Sequence, residues 1–423
     1  MNKTKNYLTI LVFVAFIMGC IFVSGNAFAR KPIGSVSIFE INDLTGPTSD
    51  SCVPHHNGIW DVFRFINEEG GILYNDPKTG KAERVIINFS WGDNKAQAGP
   101  VPTLYERLSN ANPKPVMCYM GSSAAAETIP PWTARDNIVQ ISGPSGQPTW
   151  SPPQWSFTVT PDYPADACTA AWWAMEDWKS KGNTGAPGWA WFTLNLPFGK
   201  SPIRPESEAY IKNLGFNIVG TWTMPFVPVD VGSQFRSMIN AGANYTYGNL
   251  VVLQQQKLVK DIKKHKLEDK LKIIACPYGI TDDVIKVAGE SAEGLVGVHY
   301  SAFPDELDKP AVKEAYELSK KYKHKWNSDA ILGVAIGKIM ISRIKAALEK
   351  KGYPITGKDV YAEMLDPAGI DSGGLLPLLK FNEENRRGIW VTHMRAVKDG
   401  KIVRASRDFD IPDVKPNGPW SPK

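Results

Sequence analysis

From residue 33 onward the chain alternates short strand-like runs with amphipathic segments, and few folds accommodate that order. Residues 33–41 form an apolar run of strand length, and residues 57–69 carry Ile59, Val62, Phe63 and Ile66 at helical spacing before Gly70-Gly71 ends the pattern. Residues 85–91 then predict a strand, 101–110 a helix, 116–120 a strand, and Ser123 opens a helix that stops at Pro130-Pro131. This is the grammar of a parallel sheet with helices on both faces. A passage rich in Pro and Trp, residues 143–153, interrupts it. It then restarts, with helices expected at 165–181, 205–214 and 232–241 and strands at 189–194, 217–224, 245–252 and 271–276. Long helices are expected at 310–325 and 328–351, and residues 376–404 read as antiparallel strands with Asp399-Gly400 as a tight hairpin turn. The expected fold class is α/β, with two doubly wound parallel-sheet lobes.

The first 29 residues read as an export signal. Lys3 and Lys5 precede an apolar run over residues 8–23, and Ala27-Phe28-Ala29 forms a small-x-small cleavage site. The run is shorter than the roughly 20 residues of a membrane span. Gly19-Cys20 offers lipid attachment at Cys20 as an alternative. Beyond residue 30 no comparable stretch recurs, and the remaining length calls for two domains. The formal charge of +5 falls to +3 when Lys3 and Lys5 leave (5 − 2), with the basic residues interspersed among acidic ones. That balance implies no nucleic-acid partner. The densest basic run, residues 257–272, alternates sign as a solvated helix face does.

Motifs of catalysis are missing. Phe198-Gly199-Lys200-Ser201 resembles the end of a phosphate-binding loop, but its first glycine would have to stand at Leu194. No G-x-S-x-G, H-E-x-x-H or dinucleotide glycine pattern occurs. His55 and His56 are adjacent, would diverge on a helix, and read as exposed or capping residues rather than metal ligands. No CxxC pair occurs among Cys52, Cys118, Cys168 and Cys276. The fourteen tryptophans read chiefly as packing residues. The chain is therefore read as a non-enzyme with no metal and no cofactor.

The informative positions are the strand ends. In open α/β sheets ligands bind beyond the carboxyl ends of the strands, where helix N-termini present backbone N–H groups. Three small-residue turns sit at such ends in the first half: Leu44-Thr45-Gly46-Pro47, Gly121-Ser122-Ser123-Ala124 and Ile141-Ser142-Gly143. With residues 66–72 (INEEGGI), Pro197-Phe198-Gly199-Lys200, Ala292-Glu293-Gly294, Ser328-Asp329-Ala330 and the closing hairpin, these follow one order across the chain. In that order the chain resembles the branched-chain amino acid type of periplasmic solute-binding proteins, the type I binding fold that serves ATP-driven (ABC) importers.

The resemblance implies two lobes joined by a three-crossover hinge: residues 30–155 plus 300–375 in the first, 156–299 plus 376–423 in the second. It implies a small-molecule ligand in the cleft, with Thr45, Ser122, Ser123, Ser142 and Gly143 on one side and Phe198, Tyr247 and Tyr278 on the other. The partner would be an ABC permease and ATPase complex in the inner membrane, met in the periplasm by a monomer. Disulfides Cys52–Cys118 and Cys168–Cys276 would each stay within one lobe, with free thiols as the alternative. One departure bears on the ligand: Cys276-Pro277-Tyr278-Gly279 places Tyr278 where amino-acid binders of this type carry the acid that pairs an ammonium. Asn195-Leu196 likewise replaces an acid. The expected ligand is a small carboxylate with an apolar or aromatic body, and a branched-chain amino acid would need Asp282 or Asp283 as a substitute acid. A sensor that docks on a separate receptor and a binder of amide or urea solutes are the alternatives.

Overall fold

The computed structural model describes residues 31–225, 227 and 229–411. The expected export signal, Cys20 and the last twelve residues lie outside them. The first sheet is built from β1 (Gly34–Asn42), β2 (Ile72–Asn75), β3 (Ala82–Asp93), β4 (Pro115–Met120), β5 (Val139–Ser142) and β6 (Ser156–Thr158), in the order β2-β3-β1-β4-β5-β6. All neighbours are parallel except β2 with β3. The second sheet contains β7 (Gly188–Leu194), β8 (Asn217–Met224), β9 (Ala243–Gly248), β10 (Lys272–Ala275), β11 (Val296–His299), β12 (Val391–Lys398) and β13 (Lys401–Arg404), in the order β13-β12-β11-β10-β9-β7-β8, with β14 (Phe409–Asp410) paired to β12. The two sheets form the two α/β lobes that the strand–helix alternation predicts.

The chain crosses between the sheets three times: after β6, after β11, and again before β12. The long helix Ser328–Lys351 returns to the first sheet and packs along the helix Ser49–Glu68. That packing is backbone to backbone. A Cβ on Gly58 would fall 2.6 Å from the Val334 nitrogen, and one on Gly333 would overlap the His55 carbonyl. Gly333→Ala is therefore expected to destabilise by roughly 1–3 kcal/mol, as overpacking does, despite alanine's better helix propensity. An unchanged urea midpoint would contradict it.

Three local readings are corrected. The first helix begins at Ser49, eight residues before the expected start, and runs through Pro54. Residue 252 opens the helix Val252–Lys264 rather than ending a strand. Between residues 376 and 390 the chain makes only isolated bridges, and the antiparallel strands begin at Val391. The hairpin does turn at Asp399-Gly400, both with positive φ (52° and 70°), the twist a two-residue turn requires.

The disulfides are not formed: all four cysteines are buried free thiols. Cys118 faces the cluster of Phe39, Ile41 and Met120, whereas the helix carrying Cys52 packs Ile59, Val62 and Phe63 into the cluster on the other face of the sheet. The sheet itself separates that pair. Cys168 packs with Tyr210, and Cys276 donates to the Leu250 carbonyl at 3.1 Å.

Candidate functional site

The lobes meet around a cavity of about 470 Å³ of empty space, its mouth included. The first lobe contributes the helix Ser49–Glu68 and the turn after β4. Thr48, Ser51, Cys52 and His55 line the cavity and recur at i, i+3, i+4 and i+7, one face of a helix. Gly121, Ser122, Ser123 and Ala124 line it beside them. Gly121 has to be small, because a Cβ there would collide with the Asn42 side chain.

The second lobe contributes an aromatic wall. Tyr163 stands at the start of the helix Tyr163–Ser180, with Leu196, Pro197 and Phe198 after β7 and Tyr278 after β10. The Tyr163 and Phe198 rings meet edge to face at 5.5 Å, and Phe198 and Tyr278 at 5.7 Å. The Ser123 and Tyr163 hydroxyls lie 3.3 Å apart across the cleft. Burial raises both phenols, Tyr163 and Tyr278, well above their ordinary range, so they remain hydrogen-bond donors.

Of the eight residues singled out from sequence, Ser122, Ser123, Phe198 and Tyr278 line this cavity. The other four do not. Thr45 donates to Asp93 Oδ2 at 2.5 Å, at the end of the neighbouring strand β3. Ser142 donates to the Pro144 carbonyl at 2.6 Å. Gly143 is buried against Tyr119, and its carbonyl accepts from Thr160 Oγ1 at 2.5 Å. Tyr247 is a core residue, stacked with Trp189. Ser122 is the helix cap, its hydroxyl oxygen accepting from Ala125 N at 3.2 Å. Each hydroxyl of the pair thus has one hydrogen bond, Ser122 from the Ala125 N–H and Ser123 with the Tyr163 hydroxyl.

The histidine reading is overturned. His55 is 2% exposed, and its Nε2 lies 3.2 Å from Asp329 Oδ1 at the start of the helix Ser328–Lys351. His56 turns the other way, to Glu40 Oε2 at 2.7 Å. Neither Asp282 nor Asp283 lines the cavity. Asp283 is held by Lys325 at 2.6 Å and by Asn327 Nδ2 at 2.8 Å, and Asp282 borders a different surface hollow with Phe303 and Lys401. Among the described residues, no aspartate, glutamate, lysine or arginine lines the cavity, and no cluster of His, Cys, Asp and Glu could hold a metal ion.

Two carboxylates tie the lobes at the rim. Asp50 Oδ2 accepts from the Leu253 backbone N at 3.2 Å, and Glu127 Oε1 accepts from Ser201 Oγ at 3.0 Å. Burial raises both, Asp50 to about 6. That rise is relative to a free carboxyl; with Asp50 solvated in the open cleft as a free carboxyl is, closing it takes up a proton. The penalty for closing is absent below the ordinary carboxylate range near 4, grows as pH rises, and is complete above about 6. Closure without ligand is therefore expected to strengthen as pH falls from 6 to 4, by up to about tenfold per pH unit. Asp50→Asn is expected to flatten most of that dependence, and a radius of gyration from X-ray scattering that ignores pH in the unaltered protein would contradict it.

Residues 36–401 match the periplasmic binding protein family. No curated protein sequence matches the chain. Solved structures do. A branched-chain amino acid ABC transporter protein from Thermus thermophilus with bound valine superposes with a TM-score of 0.79 at 19% identity, covering 90% of this chain and 97% of that one. A fatty acid ABC transporter substrate-binding protein from Thermomonospora curvata gives a TM-score of 0.75 at 16% identity, with 90% and 95% covered. A solute-binding protein from Rhodopseudomonas palustris in complex with 3,4-dihydroxybenzoic acid gives 0.69 at 19%, with 90% and 98% covered. With the family matched across most of its length and both lobes in the expected arrangement, the chain belongs to the type I periplasmic binding proteins.

Proposed function

We propose that the protein is the extracytoplasmic solute-binding component of an ATP-driven importer, that it works as a periplasmic monomer, and that it hands its solute to a permease and ATPase complex in the inner membrane. The solute is a small carboxylate with an apolar or aromatic body, held between the lobes and released unchanged. The observation that carries this reading is the composition of the cavity: hydroxyls at Ser51, Ser123 and Tyr163, an apolar wall at Leu196, Phe198 and Val251, and no lining acid among the described residues. Hydroxyl donors suit a carboxylate, each charge-assisted bond contributing about 1.5–3 kcal/mol. An ammonium finds no counter-charge on the cavity surface. Valine and 3,4-dihydroxybenzoic acid, the ligands of two structural relatives, share a carboxylate and differ in the amine; the present lining favours the second kind.

Binding between separately folded lobes implies hinge closure. With 3-phenylpropanoate, X-ray scattering at pH 8, where the rim carboxylates disfavour closure, is expected to give a smaller radius of gyration than the protein alone. Superimposable profiles with and without saturating ligand would count against capture by closure.

A further inference from the structure

Among the described residues that line the cavity, one side chain is able to carry a positive charge, and that residue is not among those its sequence motifs single out. His55 lines the cavity, is 2% exposed, and has Nε2 engaged by Asp329 Oδ1. Its Nδ1 has no hydrogen-bond partner. A buried ring nitrogen left without a partner loses its hydration and gains nothing in return. Ser51 Oγ, one turn earlier on the same helix face, is also buried, cavity-lining and unpartnered. Two orphaned polar atoms on one stripe of one helix, facing a cavity between two lobes, are what a ligand-recognition surface leaves exposed to its ligand.

The groups around the imidazole define what it can do. Asp329 approaches from the 328–351 helix, and the Tyr278 ring meets the imidazole edge to face with centroids 6.2 Å apart. Cys52 stands one turn back on the same helix, and Tyr163 lines the cavity from the other lobe. Asp50, farther off, feels the charges of both Asp329 and Lys325. Of the neighbours that line the cavity, the tyrosines and Cys52 are raised by burial and stay neutral. Asp329 is thus the charge in direct contact, and it favours an N–H on Nε2. A carboxylate brought into this cavity without a positive partner would face a desolvation cost of several kcal/mol.

Resting on the carboxylate reading above, we propose that His55 is a ligand-binding residue, that it meets the solute's carboxylate through Nδ1–H as an imidazolium, and that Asp329 positions it through Nε2–H. Binding then carries a proton into the cleft. The proton bound at Nδ1 comes from solvent, and no covalent bond to the solute forms or breaks.

Calorimetric titration with 3-phenylpropanoate and 4-methylpentanoate at pH 8, in two buffers of different ionisation enthalpy, reads that proton directly as a difference in apparent binding enthalpy between the buffers. Uptake approaching one proton per ligand is expected. His55→Gln keeps a donor toward Asp329 and deletes Nδ1; it is expected to weaken binding at least tenfold and abolish the uptake. His55→Asn, which retains a neutral donor near the Nδ1 position, is expected to recover part of the affinity and none of the uptake. Asp329→Asn is expected to reduce the uptake while Ser123 contacts persist. Thermal melts of each variant separate loss of fold from loss of binding. Unchanged affinity in a folded His55→Gln protein overturns the assignment. Lost affinity in His55→Gln without proton uptake in the unaltered protein overturns the claim that binding carries a proton into the cleft. If the carboxylates fail to bind while neutral amides or amino acids bind, the proposed solute class falls and this inference with it.

Discussion

Phenylalanine is expected to bind about 100-fold more weakly than 3-phenylpropanoate, from which it differs by one ammonium, and leucine similarly more weakly than 4-methylpentanoate. The cavity lining has no acid among the described residues, so a buried ammonium costs several kcal/mol. The Tyr278 and Phe198 faces return at most about 2 kcal/mol through cation–π attraction. The remainder, on the order of 3 kcal/mol, is a hundredfold in affinity. The outcome depends on Asp329, whose Oδ2 is buried without a partner behind His55. Should leucine bind tightly, and should Asp329→Asn abolish that binding, Asp329 is the acid that replaces Tyr278's lost counterpart and the solute is an amino acid.

Arg387→Ala is expected to destabilise the fold by about 3–5 kcal/mol, the cost of leaving a buried charge without its partner. Arg387 Nη1 lies 2.7 Å from Asp162 Oδ2, with side-chain exposures of 3% and 1%. Its guanidinium is sandwiched by the rings of Trp150 and Trp390, each 4.5 Å away. Asp162 also caps the helix Tyr163–Ser180 through the Ala165 N–H at 2.8 Å. The pair joins the first crossover, which leads to the cavity residue Tyr163, to the third, which leads into β12. Asp162→Asn together with Arg387→Met is expected to cost much less than the sum of the single changes, since no uncompensated charge remains. A single-variant loss below about 1 kcal/mol in urea unfolding would contradict a structural role for the pair.

The fold was legible because its signal is periodic and repeated: strand and helix periods alternate. The Pro-rich passage 143–153 does not mark the change of sheet, since β6 follows it and still pairs with β5 in the first sheet. The site was legible only where a strand end is followed directly by its lining residue. Ser122 and Ser123 after β4 and Tyr278 after β10 follow that rule, and Phe198 lies just past β7. Thr45 and Ser142 follow it too, yet their hydroxyls are consumed by Asp93 and Pro144, and sequence does not reveal which hydroxyls are already spent.

The lining residues that escaped sequence analysis have one main cause. The helix start was set at Asn57 by the spacing of Ile59, Val62, Phe63 and Ile66, which hid the stripe of Thr48, Ser51, Cys52 and His55. An internal proline costs a hydrogen bond and a ring clash with the carbonyl four residues back, about 3 kcal/mol or more, yet the helix runs through Pro54 and packs along the helix Ser328–Lys351. The i, i+3, i+4, i+7 spacing of those four residues was the available signal. Tyr163 was hidden differently: it precedes the restart of helical periodicity at Ala165, while Asp162 caps the helix from in front of it.

The central claim, capture of an organic carboxylate in the interlobe cavity, is tested most directly by identifying what the protein carries. The protein purified under native conditions from the periplasm of its own host is denatured, and the released small molecules are weighed by mass spectrometry. One dominant organic acid without a basic nitrogen, present near one molecule per chain and absent from an equally purified Phe198→Ala protein, is the expected result. A released amino acid, amine or nucleotide at that stoichiometry would contradict the account.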